Sequence, residues 1–187
     1  MGLSAGRSRC ARLPGLAGAV LALMLGSAVA CAAGADDSYQ RGVAALNAGD
    51  MVTAMSEFTA ALEAKPAHAP SAFARGKLFL TIGEPRLAVA DFTAAILSGG
   101  PDARAYAWRG QAKANLKDDA GAIADFDEAI ALAPRDADVL VIRAAYFLKK
   151  GMIGKARDDL TRAKAAAAPP QAAVIEGFIE RLEGRPP

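Results

Sequence analysis

From residue 35 onward the sequence repeats itself every 34 residues, and that period constrains the fold more than any other feature. Gly42, Gly76, Gly110 and Ala144 form one column, each 34 residues from the next. Ala54, Ala88, Ala122 and Ala156 form a second. Phe58, Phe92, Phe126 and Leu160 form a third, and Ala61, Ala95, Ala129 and Ala163 a fourth. Pro66 and Pro134 close their copies, with Gly100 and Ala168 as weaker equivalents. No insertion breaks the register, so four copies follow one another at 35–68, 69–102, 103–136 and 137–170. A unit this short cannot bury both of its apolar faces alone, so stability must come from stacking neighbours.

The residue types explain what each unit is. Two amphipathic stretches are joined by a turn, and Gly49, Gly83 and Gly151 stand at that joint, where a left-handed residue ends a helix at little cost. Asp50 and Asp118 follow as N-cap candidates of the second helix, and Pro85 suits a first helical turn. The small-residue columns let two helices cross closely, and the phenylalanine column fills the space beside them. Alanine, the best helix former, supplies 47 of the 187 residues. Two all-alanine columns, each four deep, account for part of that excess.

These landmarks resemble the tetratricopeptide repeat, a 34-residue helix–turn–helix unit with small, A-x3-F and closing-proline positions. The best copy is Ala103 to Asp136, with Tyr106, Gly110, Ala122, Phe126, Ala129 and Pro134. The last copy is degenerate at Ala144, Leu160 and Ala168, as end repeats commonly are. The resemblance implies an all-α, right-handed superhelical solenoid of antiparallel helix pairs. It also implies a concave groove lined by the first helix of each copy. The inward columns are then Tyr39, Phe73, Ala107 and Val141; Val43, Lys77, Gln111 and Ala145; Leu46, Leu80, Ala114 and Leu148; and Asn47, Thr81, Asn115 and Lys149. The leucines of the third column suit either groove or inter-helix core. The groove residues expected to meet a partner are Tyr39, Val43, Asn47, Phe73, Lys77, Leu80, Thr81, Gln111 and Asn115. The family's carboxylate clamp for acidic chaperone tails is absent, since its places hold Tyr39, Val43, Thr81, Ala107 and Gln111.

The two ends read differently. Arg7, Arg9 and Arg12 precede an apolar run from Leu16 to Leu25 that ends in small residues, and no acid occurs before Asp36. That order is a secretory signal peptide over residues 1–30, with cleavage sites up to residue 35. Ala28-Val29-Ala30-Cys31 also resembles a bacterial lipobox, which makes Cys31 a candidate lipidation site, although Ala28 replaces the usual leucine. Cys10 leaves with the leader, so the mature chain forms no internal disulfide. After Pro169 and Pro170 one more helix is expected from Gln171 to about Glu183, with Ile175, Phe178, Ile179 and Leu182 on one stripe that caps the last copy, the alternative being a free amphipathic helix that docks on a partner or membrane.

Other chemistry finds little support. His68 is the only histidine and falls where Asp102 and Asp136 stand in the next copies, so it reads as a loop or capping residue. The stretch Gly151 to Ala156 lacks the spacing of a phosphate loop. The pairs Asp36-Asp37, Asp118-Asp119 and Asp158-Asp159 are adjacent, point about 100° apart on a helix, and read as caps and solvated faces. Basic residues such as Lys113, Lys117, Lys155 and Arg162 are interleaved with acids, which argues against nucleic acid. The whole chain carries +2, but removing the leader's three arginines leaves about −1. The expectation is an exported, non-enzymatic adaptor of the bacterial envelope without cofactor or metal, holding a protein or peptide in its groove. The alternative is a periplasmic module for a small molecule or free peptide. Membrane contact would come only through an anchor at Cys31, and the oligomeric state is not legible.

Overall fold

The computed structural model describes residues 34–100 and 102–184. The expected leader, Cys31 and the last three residues lie outside that range. Nine α-helices and no strand occur among the described residues. They are α1 (34–47), α2 (Met51–Ala64), α3 (Ala69–Thr81), α4 (Pro85–Gly99), α5 (Ala103–Asn115), α6 (Asp119–Leu132), α7 (Ala137–Lys149), α8 (Ile153–Ala166) and α9 (Pro169–Leu182).

Consecutive helices pack as antiparallel hairpins that stack in chain order: α3 on α4, α5 on α6, α7 on α8, with α2–α3, α4–α5 and α8–α9 contacts between units. The glycine column sets how closely each pair approaches. A Cβ on Gly76 or Gly110 would stand 2.9 Å from a ring carbon of Phe92 or Phe126. Those rings and Phe58 are fully buried, as are Ala54, Ala88, Ala122 and Ala156 at the crossings. In the fourth unit Ala144 faces the smaller Leu160, so the packing volume is kept while the residues change.

The curvature follows from which helices meet. α5 packs on α7 and α3 touches α5, whereas no two second helices share a packed interface. The first helices therefore lie on the inner side of an all-α superhelix, and the second helices on the outer side.

The turns obey the expected chemistry with one exception. Gly49, Gly83 and Gly151 adopt φ of 79°, 81° and 72°, and the same slot in the third unit is held by Lys117 at φ 64°. A Cβ in that region crowds the following carbonyl at about 1 kcal/mol. Lys117→Gly is accordingly expected to raise stability, by up to about 1 kcal/mol once glycine's extra chain entropy is subtracted. An unchanged or lower midpoint in urea denaturation would show that the turn is not strained. Asp50 and Asp118 cap α2 and α6 through the Thr53 and Gly121 amides, each at 3.0 Å. Asp102 and Asp136 cap α5 and α7 in the same way. Glu84 and Met152 make no such bond, and Pro85 opens α4 instead.

The C-terminal helix begins earlier than the sequence reading placed it. Pro169 and Pro170 fall inside its first turn, where a missing N–H leaves nothing unpaired. Ile175 and Ile179 are buried against α7 and α8, and Leu182 packs beside them. Phe178 departs from the expected stripe: it is 48% exposed, with the Arg181 guanidinium 4.5 Å above its ring. The buried stripe is narrower than a 3.6-residue count over four apolar residues implied.

Candidate partner-binding groove

Tyr39 and Val43 on α1 face Phe73, Lys77 and Thr81 on α3 across one cleft of about 590 Å³. Leu46, Gly49, Met51, Ala74, Leu78 and the edge of Phe58 complete its lining, so the surface is largely apolar. Each half-buried aromatic rests on a core ring beneath it: Tyr39 on Phe58 at 5.8 Å, Phe73 edge-on to Phe92 at 5.7 Å. Tyr39 and Phe73 also border a second cleft of about 420 Å³, which runs to Ala69, Ala95 and Asp102. The two aromatics thus form a half-buried pair with apolar hollows on both sides.

The remaining predicted residues divide. Leu80 packs toward Ala88, Phe92 and Ala112 and belongs with the inter-helix core, as does Leu148 in its own cluster, whereas Leu46 both packs in the first cluster and lines the cleft. Ala107 and Ala114 are buried, so two groove columns lose their members in the third unit. Asn47 is exposed at the end of α1, outside the cleft. Gln111 donates to Asn115 at 3.3 Å, and Lys149 donates to the same Asn115 oxygen at 3.1 Å. Along the first helices, then, an apolar half gives way to a polar one. Sequence reasoning missed Trp108, which packs half-buried near α4 and carries the Lys77 amine 5.2 Å from its ring centre. Its place in a first helix at the start of the polar half was the available signal.

A second periodic set, unrecognised in the sequence, fixes the first helices in place. Arg75, Arg109 and Arg143 each grip a carboxylate of their own unit's second helix with two parallel bonds of 2.8–2.9 Å, to Asp91, Asp125 and Asp159 respectively. Each also reaches back to the preceding unit, to Thr59, Thr93 or Asp127. Arg41 and Glu57 form the first rung at 2.9 Å, with Arg41 more exposed than the others. The paired carboxylates hold the three arginines above the ordinary guanidinium pKa. This corrects the reading of the Asp158-Asp159 pair as solvated: Asp159 is buried, as are Asp91 and Asp125, and Lys113 adds a second cation to Asp125 at 2.8 Å. Asp119 accepts from Lys150 at 2.7 Å. Such forks give geometric specificity more than net stability, because both ions lose water.

His68 also departs from its expected role. It occupies the N-cap place of α3, as the repeat register implied, but its side chain makes no capping bond and it is 4% exposed. Nδ1 lies 2.7 Å from Ser71 Oγ, and Nε2 lies 2.9 Å from Asp36 Oδ1. An Asp–His–Ser chain usually suggests acyl transfer. Here Ser71 has no solvent exposure, so no carbonyl reaches its hydroxyl. The chain instead ties α1 to the start of α3, directly behind Tyr39, whose ring meets the imidazole at 5.7 Å. No group of three or more His, Cys, Asp or Glu able to hold a metal occurs among the described residues.

Helix hairpins at a 34-residue step, stacked with their first helices inward, define the tetratricopeptide-repeat class of solenoid. The family model of the tetratricopeptide repeat matches residues 103–136, the copy whose landmarks are most complete, and the whole stack of hairpins has the fold of tetratricopeptide-repeat structures. Its fold is similar to that of MamA 41-end from Desulfovibrio magneticus RS-1, with TM-score 0.60 at 24% identity over 71% of this chain and 75% of that one. It is also similar to the Arabidopsis OM64 tetratricopeptide domain, with TM-score 0.58 at 26% identity over 62% and 96%. A third similar structure is the second such domain of Spaghetti (RPAP3) bound to the HSP90 peptide SRMEEVD, with TM-score 0.58 at 26% identity over 62% and 99%. No curated protein sequence matches the chain.

Proposed function

We propose that this protein is an exported, non-enzymatic interaction adaptor of the bacterial cell envelope, and that it binds a segment of a partner protein in the concave groove beside the first two repeats. The observation that carries the reading is the cleft between α1 and α3. It is open, apolar, floored by rings that the core already holds rigid, and edged by Tyr39 and Phe73. Preformed aromatic anchors of that kind lose little side-chain entropy on binding. The solved relative that holds an HSP90 peptide supports peptide binding by this class of fold. A ligand pocket for a small molecule would need several convergent polar groups, and this cleft offers one lysine and two hydroxyl side chains.

Export rests on the basic, apolar and small-residue order of residues 1–30, with lipidation of Cys31 as the membrane-anchored alternative. Intact mass of the protein from the envelope separates the two forms: an acylated Cys31 start supports the anchor, and an unmodified start at Asp36 removes it.

The groove is tested by the double substitution Tyr39→Ala and Phe73→Ala, with partners recovered from envelope extracts. Both rings are partly exposed, so the helices should persist by circular dichroism. The expected result is loss of the partners that the wild type retains. The same partners at unchanged yield would place the binding surface elsewhere.

A further inference from the structure

Seven of the twelve large apolar side chains exposed among the described residues fall on one edge of the solenoid, away from the groove. That edge is the row of turns joining the first helix of each unit to the second, and hairpins stacked in one orientation bring every such turn to it. Met51 and Val52 open α2, and Ile82 and Leu87 flank the start of α4. Leu116 ends α5, and Met152 and Ile153 open α8. Val52, at 82% exposure, is almost wholly in solvent. The row is continuous from unit to unit. Met51, Val52 and Ile82 share an open hollow of about 580 Å³, and Lys150 of the fourth turn reaches Asp119 beside the third at 2.7 Å. The opposite edge carries two exposed large apolar side chains, Leu97 and Leu132.

The charges on the turn edge lean one way. Asp50 and Asp118 direct their carboxylates onto helix amides, and Asp119 directs its own onto Lys150. Arg86, Lys117 and Lys155 are exposed without a carboxylate partner among the described residues, against Glu84 as the one acid that caps nothing. We infer that this edge docks the protein on an anionic lipid surface. A row of short apolar tips along a solenoid edge fits a plane better than it fits a single protein pocket. Each free cation can lay its stem along the hydrocarbon boundary while its head meets lipid phosphate. The contact is peripheral, since no helix among the described residues is long and apolar enough to cross a membrane. It is independent of the groove reading. It is also independent of Cys31, because α1 begins at the opposite edge, about 20 Å from the turns by helix rise.

The test uses the full chain with Cys10→Ser/Cys31→Ser, which removes both native cysteines and any acyl group. A single cysteine is then introduced as Leu116→Cys on the turn edge or Leu132→Cys on the opposite edge and labelled with an environment-sensitive fluorophore. Vesicles of phosphatidylcholine mixed with phosphatidylglycerol should shift the emission of the label at 116 to the blue and leave the label at 132 unchanged. Val52→Ser/Ile82→Ser/Met152→Ser changes exposed side chains, so helicity should persist while vesicle affinity falls roughly tenfold. Arg86→Gln/Lys117→Gln/Lys155→Gln should lose about tenfold at low salt, with no change toward phosphatidylcholine alone. Equal shifts at both labels, or none at either, would overturn the inference. So would equal affinity for vesicles with and without phosphatidylglycerol. A shift at 116 that grows with protein concentration in the absence of vesicles would assign the edge to a second copy of the chain and overturn it as well.

Discussion

Asp125→Asn is expected to cost about 3 kcal/mol, read as a lower urea midpoint at unchanged m-value. Asp125 is nearly buried and accepts from both Arg109 and Lys113. The amide keeps the shape of the side chain, but it removes the charge that two partly buried cations share, and its NH2 group faces donors. Removing one partner of a buried pair leaves the other uncompensated, which is why the loss exceeds the net worth of the pair itself. The first rung supplies the control. Glu57→Gln removes the partner of a more exposed arginine, so its effect should stay below about 1 kcal/mol. Equal losses at the two sites would mean that burial does not set the strength of these rungs.

Phe126→Ala is expected to cost about 4 kcal/mol, the usual range for emptying a fully buried aromatic site. The ring lies between the Gly110 backbone and Tyr146 of the next unit, so the cavity opens at a unit–unit boundary that cannot collapse without shifting a helix. The fourth unit offers a compensated alternative in Ala144 and Leu160. Gly110→Ala alone should cost about 1–3 kcal/mol by pushing a Cβ into the ring. Gly110→Ala combined with Phe126→Leu should cost less than the sum of the two single changes, because the smaller side chain makes room. Strict additivity in that double-mutant cycle would contradict the close-packing account.

The packing was legible because its positions are chemically distinctive: only a small residue opposite a large ring explains Gly76 against Phe92. The arginine–carboxylate rungs follow the same 34-residue step yet were missed. Asp158 and Asp159 look alike in sequence, and only the helix–helix geometry separates the exposed one from the buried one. Lys117 shows the limit of reading turns by residue type, since the neighbouring helices impose a left-handed backbone where no glycine marks it. His68 shows the reverse: its position in the repeat gave the right backbone place, but its side chain answers to Asp36 and Ser71, which are distant or unremarkable in sequence. Within the groove, the apolar cleft followed from the columns, whereas the burial of Ala107 and Ala114 depended on how closely α5 and α7 approach.

Site-specific photocrosslinking in cells tests the central claim most directly, with a benzophenone amino acid placed at Phe73 on the inner side or at Leu97 on α4, which is 81% exposed. Partner adducts formed from position 73 and absent from position 97 are the predicted result. Adducts from position 97 alone, or equally from both, would contradict binding in the concave groove.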